Sequence, residues 1–322
     1  MHLGALCASI CRRTGMAGNA GTEGKVKPAV SVMMVCYNSV PTLPWAFGAL
    51  LAQTMNDWEC IFVDDGSTDC SFDLAVGLGD PRIRAFQLET NRGRGAARQF
   101  ALEQAKGDFL CFLDADDWMY PWRLQTEMDF LEAEPRVAAV SAGMAILDRL
   151  GDLVGTRGSA EGDKPQVFPV IPRLRMPPFT FPASMIRMKA AKLYNFDPRF
   201  RASEDAGFLM QIILNHGYGI LNRNVYAYKE NSTVTLERIT TDYHFVGQIF
   251  RDYSASFPLQ SRINNLKVFA KSIAYRGAFA VNRSDWLVRR RSQSPTPKEV
   301  EEFQLARKTV ALRVENIFGT SE

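Results

Sequence analysis

The sequence predicts an α/β fold in which a mostly parallel central sheet is flanked by helices. Apolar runs of strand length alternate with segments of helical spacing over residues 29–147, a pattern typical of parallel strands joined by helical crossovers. Two of the apolar runs end abruptly in carboxylates, at the sheet edge where open α/β sheets bind ligands. We expect these two strands to lie side by side. At 322 residues, the chain can form one large domain or a domain with an added segment.

Composition and charge argue against several classes of protein. Hydrophobic residues make up 46% of the chain, yet there is no apolar run of about 18 residues that would span a bilayer. Three histidines argue against an imidazole zinc site, and six cysteines without a C-x-x-C pair predict reduced thiols in the cytoplasm. The apolar residues 3–10 precede Arg12 and Arg13, an order that argues against a signal peptide. We expect residues 1–28 to form a disordered lead.

The first predicted strand covers residues 29–36 and leads into the polar pair Tyr37-Asn38. Leucine and phenylalanine at helical spacing predict a helix over residues 42–53, whose prolines are confined to its first turn. Residues 82–88 alternate charged and apolar side chains, and this alternation predicts a third strand at the edge of the sheet.

The second predicted strand, over residues 58–63, ends in the acidic pair Asp64-Asp65. Carboxylates at the carboxyl end of a strand are placed to meet a ligand, for instance by accepting a hydrogen bond from the imide N–H of uracil. We expect Ser67 and Asp69, which follow, to cap the next helix instead.

Residues 91–98 read Asn-Arg-Gly-Arg-Gly-Ala-Ala-Arg and open a predicted helix that continues to about residue 106. Backbone N–H groups at such a helix start, together with the helix dipole, can cradle an anion. The segment is not a dinucleotide fingerprint, because Arg98 replaces the third glycine, and it lacks the Gly-Lys-Ser/Thr ending of a P-loop. Arg98 is predicted either to contact a phosphate or to be an ordinary exposed helix residue.

The most informative stretch covers residues 106–118, where an apolar strand ends in Asp114-Ala115-Asp116-Asp117. If the chain stays extended, Asp114 and Asp116 project to the same side, and such close carboxylates stay ionised only beside a cation. Oxygen ligands without nearby His or Cys suit Mg²⁺ or Mn²⁺, and a diphosphate usually completes the metal's shell. In the alternative interpretation, Asp116 or Asp117 caps the helix predicted over residues 121–134.

The second half of the sequence is less regular. A strand is predicted over residues 137–147, and the polar, glycine-bearing residues 151–164 predict a loop or domain seam. Six prolines make residues 165–182 irregular, and we expect this segment to shape a pocket wall. Residues 218–228 predict another strand.

Two acidic residues precede a predicted helix over residues 207–215. Ser203 is the expected N-cap, and Glu204 and Asp205 would favour the first turn of any helix because of its dipole. The same two carboxylates could instead supply a catalytic base. These residues alone leave both interpretations open.

Basic residues concentrate in the last part of the chain. Residues 262–313 include twelve Lys/Arg against four Asp/Glu, whereas the whole chain has a formal net charge of only +3. Helices are predicted from residue 240 onward. Such a basic helical segment can lie on anionic lipid or can simply be solvated.

Five motifs in order make the sequence resemble family 2 glycosyltransferases of the GT-A fold. They are residues 30–32 with Tyr37-Asn38, residues 63–69, residues 91–93 with Ala97-Arg98, residues 107–117, and Glu204-Asp205. The resemblance implies a GT-A glycosyltransferase domain over residues 29–235, with a nucleotide-binding half and an acceptor-binding half. Residues 236–322 match no part of the family pattern and are expected to form a helical, basic C-terminal extension.

The resemblance implies substrate-binding roles on the donor side. Tyr37 and Asp65 would hold the nucleotide base, with Asn38 in the same substrate-binding group. Asp114 would contact the ribose or the edge of the base, and Arg98 the base or the diphosphate. The first strand departs from the family pattern because it carries Val-Cys where Pro or Thr usually precedes Tyr-Asn. The contact to the base at that position is therefore expected to be made by the backbone or to be absent.

The resemblance to family 2 glycosyltransferases also implies a metal ligand and a catalytic base. Asp116, in the family's D-x-D motif, would ligate Mn²⁺ or Mg²⁺ bound to the donor diphosphate. Asp205 would be the base that deprotonates the acceptor hydroxyl, with Glu204 as the second candidate. In-line attack on the anomeric carbon would invert the donor's configuration.

The implied function is the metal-dependent transfer of one sugar from a nucleotide diphosphate sugar to a hydroxyl of the acceptor. A UDP-sugar is the favoured donor. The acceptor would be a lipid-linked glycan in exopolysaccharide, capsule or lipopolysaccharide assembly, met in the cytoplasm or peripherally at the inner face of the membrane. Only Gln248 and Arg251 remain of the Gln-x-x-Arg-Trp motif of processive synthases, so we expect single transfer. The alternatives are a sugar nucleotidyltransferase and an inactive nucleotide-sugar-binding or scaffold protein. No nucleic-acid partner is expected.

Overall fold

The computed structural model describes residues 27–170, 172–178, 180–230, 235–281 and 292–319. Apart from Lys27 and Pro28, the predicted disordered lead over residues 1–28 lies outside the described residues. Part of the basic segment predicted near the C-terminus, residues 282–291, also lies outside them.

The described residues form ten strands and nine helices. The strands are β1 (Val30–Cys36), β2 (Trp58–Asp64), β3 (Ile83–Gln87), β4 (Phe109–Phe112), β5 (Trp118–Met119), β6 (Val137–Leu147), β7 (Leu153–Arg157), β8 (Gln166–Phe168), β9 (Ser184–Arg187) and β10 (Gly217–Lys229). The helices are α1 (Leu43–Leu51), α2 (Ser71–Gly77), α3 (Arg94–Gln104), α4 (Arg123–Ala133), α5 (Met188–Ala191), α6 (Glu204–Asn215), α7 (Leu236–Asp252), α8 (Pro258–Ala280) and α9 (Pro297–Phe318).

All ten strands belong to one sheet. Its order is β3-β2-β1-β4-β9-β6-β10-β5, with β7 paired to β6 and β8 paired to β10. Strands β1, β2, β3, β4, β6 and β10 run in one direction and the other four run against them, so the prediction of a mostly parallel sheet is confirmed.

The two strands that end in acids are not neighbours, and the prediction that they lie side by side is wrong. β1 lies between β2 and β4 and pairs with both in parallel. The chain therefore crosses to one side of β1 for β2 and to the other side for β4. Such a reversal of strand order opens a crevice at the carboxyl edge, where α/β sheets bind ligands.

The central strands are apolar because both of their faces are buried. Along β1, Val32 and Met34 belong to one hydrophobic cluster and Met33 belongs to another. In β4, Cys111 and Phe112 divide between the two clusters in the same way. Alternate side chains of a strand point to opposite faces, so each strand supplies both cores and reads as a continuous apolar run.

Two expectations for the second half are corrected by the structure. Part of the predicted loop or domain seam, Leu153–Arg157, is the strand β7, because a turn that contains Gly151 at φ +84° returns the chain antiparallel to β6. Ser203 occupies the N-cap position of α6 but makes no side-chain capping bond, and it adopts a left-handed conformation with φ +60°. The helix begins at Glu204, three residues before its predicted start.

The C-terminal helix α9 packs on the first half of the molecule. A capping box between Thr296 and Glu299 fixes its start. Phe303, Ala306 and Val310 are buried in the same hydrophobic cluster as β1 and α1. None of the described helices is long and apolar enough to cross a membrane.

Candidate active site

The carboxyl ends of β1, β2 and β4 meet at one edge of the sheet. The N–H of Asp65 donates to the carbonyl of Cys36 at 2.9 Å, and the N–H of Leu113 donates to the carbonyl of Met33 at 3.0 Å. The segments that follow β2 and β4 are therefore both hydrogen-bonded to the backbone of β1, the strand between them. This arrangement brings Tyr37, Asp65 and the acidic turn after β4 to the same edge of the sheet.

Arg98 joins the acidic turn to the acid pair of α6. Its Nη2 donates to Asp114 Oδ1 at 2.9 Å, and its Nη1 donates to Glu204 Oε1 at 2.8 Å. The guanidinium lies 4.5 Å from the ring centre of Phe181 and is almost entirely buried. Burial opposes the charge, but the carboxylates of Asp114 and Glu204 raise the pKa of Arg98 above its ordinary value. The alternative of an exposed helix residue is therefore wrong.

The two predicted candidates for the base differ in their surroundings. Glu204 is 1% exposed, and its Oε1 also lies 3.3 Å from Arg94 Nε. Asp205 is partly exposed, and its one hydrogen bond to another described residue is with the N–H of Ala206, at 2.7 Å. Glu204 is thus held by two arginines, whereas the partly exposed carboxylate of Asp205 forms no ion pair with a basic side chain of the described residues.

The acids after β4 form a tight turn rather than an extended chain. The N–H of Asp117 donates to the carbonyl of Asp114 at 3.2 Å, so the assumption of an extended Asp114-Ala115-Asp116 is wrong. The hydroxyl of Tyr226, on β10, accepts the N–H of Asp114 at 3.1 Å. The turn thus places these acids by hydrogen bonds to its own backbone and to a neighbouring strand.

Asp117 is buried beneath this turn, and the capping interpretation is wrong. Asp117 Oδ1 accepts the N–H of Lys229 at 2.8 Å, while the N-cap residue of α4, Trp122, makes no side-chain capping bond. Burial and the charges of Asp116 and Asp114 raise the pKa of Asp117 well above its ordinary value. Its Oδ2 is buried and has no hydrogen-bond partner among the described residues.

Asp116 is the exposed acid of the turn. Desolvation by the surrounding protein and the charge of Asp114 raise the pKa of its carboxyl, whereas the charges of Arg94 and Arg238 oppose that rise. Among the described residues, no three His, Cys, Asp or Glu side chains are grouped to hold a metal ion alone. Asp116 and Asp114 nevertheless offer the hard oxygen ligands that Mg²⁺ and Mn²⁺ take from proteins when phosphates supply the remaining positions.

The predicted base-binding residues are partly engaged with the protein itself. Asp65 is 2% exposed, and its two carboxyl oxygens accept the N–H groups of Arg92 at 2.8 Å and Gly93 at 2.9 Å. An internal carboxylate therefore occupies part of the predicted anion cradle. Asn38, with φ +52°, accepts the N–H of Thr68 through its side chain at 2.9 Å and so ties the loops after β1 and β2 together.

Tyr37 is accessible to solvent. Its side chain is 48% exposed, directly after the carboxyl end of β1. Asp64, in contrast, is fully buried at the end of β2, where it accepts from Gln87 at 2.9 Å. Asp64 therefore has a structural role. Its full burial argues against the ligand contact that the sequence predicted for it.

Sequence reasoning missed several residues around these acids. Tyr226, Arg238 and Phe181 approach the site from β10, α7 and the proline-rich segment. Tyr226 could have been suspected from the sequence, because its polar hydroxyl lies within the mostly apolar run of β10 and needs a hydrogen-bond partner. We see no local signal for Arg238 or Phe181, because only the tertiary fold brings them to the acidic turn.

The family model described as Glycosyl transferase family 2 matches residues 31–198, just over half of the chain. The matched segment contains β1 to β9 and the acidic turn. The chain belongs to glycosyltransferase family 2. The predicted family membership and the prediction of a glycosyltransferase are both confirmed.

Relatives of this family 2 chain occur in bacterial polysaccharide biosynthesis. EpsE of Bacillus subtilis (strain 168), a proposed glycosyltransferase, is 28% identical over 270 residues, which cover 80% of this chain and 92% of EpsE. The succinoglycan biosynthesis protein ExoO of Rhizobium meliloti (strain 1021) is 34% identical over 48% of this chain and 41% of ExoO. The Escherichia coli UDP-Glc:alpha-D-GlcNAc-diphosphoundecaprenol beta-1,3-glucosyltransferase WfaP is 33% identical over 33% of this chain and 42% of WfaP.

Two solved structures share the fold of this family 2 chain. S. aureus TarS 1-349, in complex with UDP-GlcNAc, is 19% identical with a TM-score of 0.58, over 90% of this chain and 83% of TarS 1-349. The mannosyltransferase PcManGT from Pyrobaculum calidifontis, in complex with GDP-Man and Mn²⁺, is 15% identical with a TM-score of 0.54, over 100% and 96% of the two chains. The GT-A fold prediction is confirmed.

Proposed function

We propose that this glycosyltransferase moves a single sugar from a UDP-sugar to a hydroxyl acceptor, with inversion at the anomeric carbon. The arrangement of Arg98 carries the proposal. It joins Asp114, in the acidic turn, to Glu204, next to Asp205 at the start of α6. This link supports a site in which a donor-side carboxylate and an acceptor-side carboxylate would lie close together, as a displacement between two bound substrates requires.

On the donor side, the exposed ring of Tyr37 would stack on the base. Asp65 and Asn38 would shape the base pocket through the loops that they fasten, and Asp114 would receive the ribose. Arg98 would act on the donor through the carboxylates that it holds. The UDP-Glc in the name of WfaP and the UDP-GlcNAc bound to TarS support a uridine donor, since both proteins resemble this chain.

Asp116, with Asp114 beside it, would hold Mn²⁺ or Mg²⁺ together with oxygens of the donor diphosphate. When bound, the metal would offset the negative charge that develops on the departing nucleoside diphosphate. The exposure of Asp116 and the Mn²⁺ in the PcManGT complex support this assignment. Arg94 and Arg238, whose charges act on Asp116, would add positive potential on the diphosphate side.

Asp205 would accept the proton of the attacking hydroxyl. General-base catalysis requires a carboxylate that can reach that proton and is free to accept it. Asp205 meets both conditions better than Glu204, which is buried and held by Arg98 and Arg94. Attack from the side of α6 would displace the diphosphate on the opposite side and invert the anomeric centre.

The acceptor would be a lipid-linked glycan in exopolysaccharide, capsule or lipopolysaccharide assembly. The diphosphoundecaprenol acceptor in the name of WfaP supports this class. We also propose a division of the chain into a glycosyltransferase domain over residues 29–235 and a C-terminal extension over residues 236–322. The protein would work in the cytoplasm and at the inner face of the membrane.

The deciding experiment is calorimetric titration of UDP into the full chain, with and without Mn²⁺. We expect binding that is tighter with Mn²⁺, and we expect Asp116→Asn to remove that difference while the protein stays folded. Asp163→Asn, in an exposed loop, is the matched control and should behave as the wild type. Equal UDP affinity in the presence and absence of Mn²⁺ would rule out the metal assignment.

Turnover separates the remaining alternatives. Release of pyrophosphate from UTP and a sugar 1-phosphate would identify a nucleotidyltransferase. An inactive nucleotide-sugar-binding or scaffold protein would bind UDP normally, and Asp205→Ala would then change no measured property. Slow release of UDP from a UDP-sugar in water, abolished by Asp205→Ala, is the result expected of a transferase.

A further inference from the structure

An apolar stripe runs along the outside of α8. It consists of Leu259, Ile263, Leu266, Phe269 and Ile273, and we call it the α8 stripe. Their exposed fractions are 68%, 44%, 69%, 63% and 53%. Spacings of three and four residues place the five side chains on one face of the helix, over a length of roughly 21 Å at 1.5 Å per residue.

The face of α8 opposite the stripe packs against α7. Ser261 is buried and donates to the carbonyl of Phe250 at 2.7 Å, and the buried Tyr275 lies 5.8 Å from Tyr243, ring centre to ring centre. The orientation of α8 is therefore fixed by packing. The α8 stripe faces away from the protein because the packed face lies on the opposite side of the helix.

The charges beside the α8 stripe are all positive. Arg262, Lys267, Lys271 and Arg276 are exposed, and α8 contains no aspartate or glutamate. None of the four forms an ion pair with another described residue. By helical position, Arg276 lies at one border of the stripe and Lys267 lies beyond the other border. Arg262 lies among the apolar residues near the start of the stripe, and Lys271 lies further round the helix.

The exposed apolar stripe and its neighbouring basic residues together favour one kind of partner. Single exposed leucines are common, but five aligned apolar side chains on one helix face are typical of an interaction surface. A second copy docked on the same patch would bring eight like charges together, which is unfavourable. An anionic lipid surface accepts both features, since the apolar residues enter the acyl boundary and the basic residues meet the head groups. We propose that the α8 stripe docks on an anionic membrane.

The position of α8 relative to the candidate site indicates how docking would serve the transfer reaction. This inference rests on the proposed function. The pairs Phe250 with Ser261 and Tyr243 with Tyr275 show that α8 runs antiparallel to α7. The start of α7 carries Arg238, whose charge acts on Asp116. The end of α8 therefore lies beside the start of α7, which carries Arg238. Docking would hold the crevice near the bilayer, where a lipid-linked acceptor presents its hydroxyl.

Vesicle flotation of the full chain tests the proposal. We expect the wild type to float with vesicles of phosphatidylcholine mixed with phosphatidylglycerol, and not with phosphatidylcholine alone. The double variant Leu266→Gln/Phe269→Gln should lose at least about tenfold in binding to the mixed vesicles, because it removes two apolar side chains that would enter the acyl boundary. Lys267→Glu/Lys271→Glu should lose about twentyfold or more, and wild-type binding should weaken at high salt.

Matched controls exist elsewhere on the surface. Leu193→Gln changes a leucine with 66% exposure outside α8, and Lys189→Glu reverses an exposed lysine on α5. Both controls should float as the wild type does. If the stripe variants float equally well, or if the wild type binds no vesicle, the docking surface is refuted.

UDP calorimetry on the same proteins keeps the two proposals apart. All stripe variants should bind UDP as the wild type does, because none touches the acidic turn. UDP binding without vesicle binding would refute the docking surface and leave the proposed function intact. Vesicle binding without UDP binding would do the reverse. If sedimentation without vesicles shows a dimer that Leu266→Gln/Phe269→Gln dissociates, the stripe is an interface between copies and the membrane assignment is wrong.

Discussion

At the scale of single residues, the site is decided by which carboxylates already have partners within the protein. Asp64, Asp65, Asp117 and Glu204 are buried and bound to backbone N–H groups or to arginines. Those acids shape the crevice. Asp116 and Asp205 keep accessible oxygens, and they are the acids to which we assign the metal and the base.

The first residue-scale prediction separates Asp205 from Glu204. Asp205→Asn should lower kcat by about 10²- to 10⁴-fold, because it removes a general base, and should leave UDP affinity and Tm unchanged. Glu204→Gln, in contrast, should lower Tm, because the buried guanidinium of Arg98 loses a charged partner. Steady-state kinetics, calorimetry and thermal unfolding of the two variants supply the comparison. An active Asp205→Asn beside a stable, inactive Glu204→Gln would reverse the assignment.

A second residue-scale prediction concerns pH. Burial lowers the pKa of His216 below its ordinary value of 6.5, beside the hydroxyl of Tyr194 at 3.1 Å from Nε2. The unfolded chain binds this proton more readily than the folded chain does. The stabilisation from neutral His216 is therefore complete above pH 6.5 and is lost as the pH falls through the lowered folded-state pKa. Urea unfolding from pH 7.5 to pH 5 should show a shallower fall in stability for His216→Gln than for the wild type. Parallel curves would contradict this.

At the scale of secondary structure, most elements before residue 147 could be predicted from local pattern, whereas the two-residue strand β5 and several later elements could not. β1 and β4 read as apolar runs because both faces are buried, and α4 carries an apolar helical face of its own. β7 and β8 form only because distant strands pair with them. Ser203 failed as a predicted cap because capping residues adopt extended dihedral angles, whereas its backbone is left-handed.

The main element-scale prediction concerns the arginine that fastens α4 to the sheet. Arg123 is fully buried and donates to Glu127 at 3.0 Å and to the carbonyls of Phe112 at 2.8 Å, Pro182 at 2.6 Å and Ser184 at 3.2 Å. Lysine keeps the charge but has a single ammonium, so it cannot reproduce this fork. We expect Arg123→Lys to reduce the free energy of unfolding by about 3–5 kcal/mol.

The effect of Arg123→Lys should extend to the site, since Phe112 is the last residue of β4 and leads into the acidic turn. UDP affinity measured with Mn²⁺ should fall together with stability in urea unfolding. Arg136→Lys, at a position with 84% side-chain exposure, is the control and should change the free energy of unfolding by less than about 0.5 kcal/mol. A stable Arg123→Lys protein would show that the buried fork is dispensable.

At the scale of the whole molecule, the site is assembled from parts that are distant in sequence. The acidic turn, the start of α6, β10 and the start of α7 contribute Asp116, Asp205, Tyr226 and Arg238 in that order. The motifs predicted the first two because chemistry restricts which residues can occupy those positions. Tyr226 and Arg238 depend on how β10 and α7 pack, which no local pattern encodes.

The last prediction tests whether α9 belongs energetically to the catalytic half of the molecule. Phe303 is 4% exposed and its ring centre lies 5.7 Å from that of Trp118, the residue after Asp117. We expect Phe303→Ala to reduce the free energy of unfolding by about 3–5 kcal/mol, through lost burial and the cavity left behind. UDP affinity with Mn²⁺ should fall as well, because Trp118 directly follows the acidic turn in the chain. Leu305→Ala, on the exposed side of the same helix at 58% exposure, is the matched control and should leave both quantities unchanged. If the two variants unfold at the same urea concentration and bind UDP equally, α9 is an appendage and the site is complete without it.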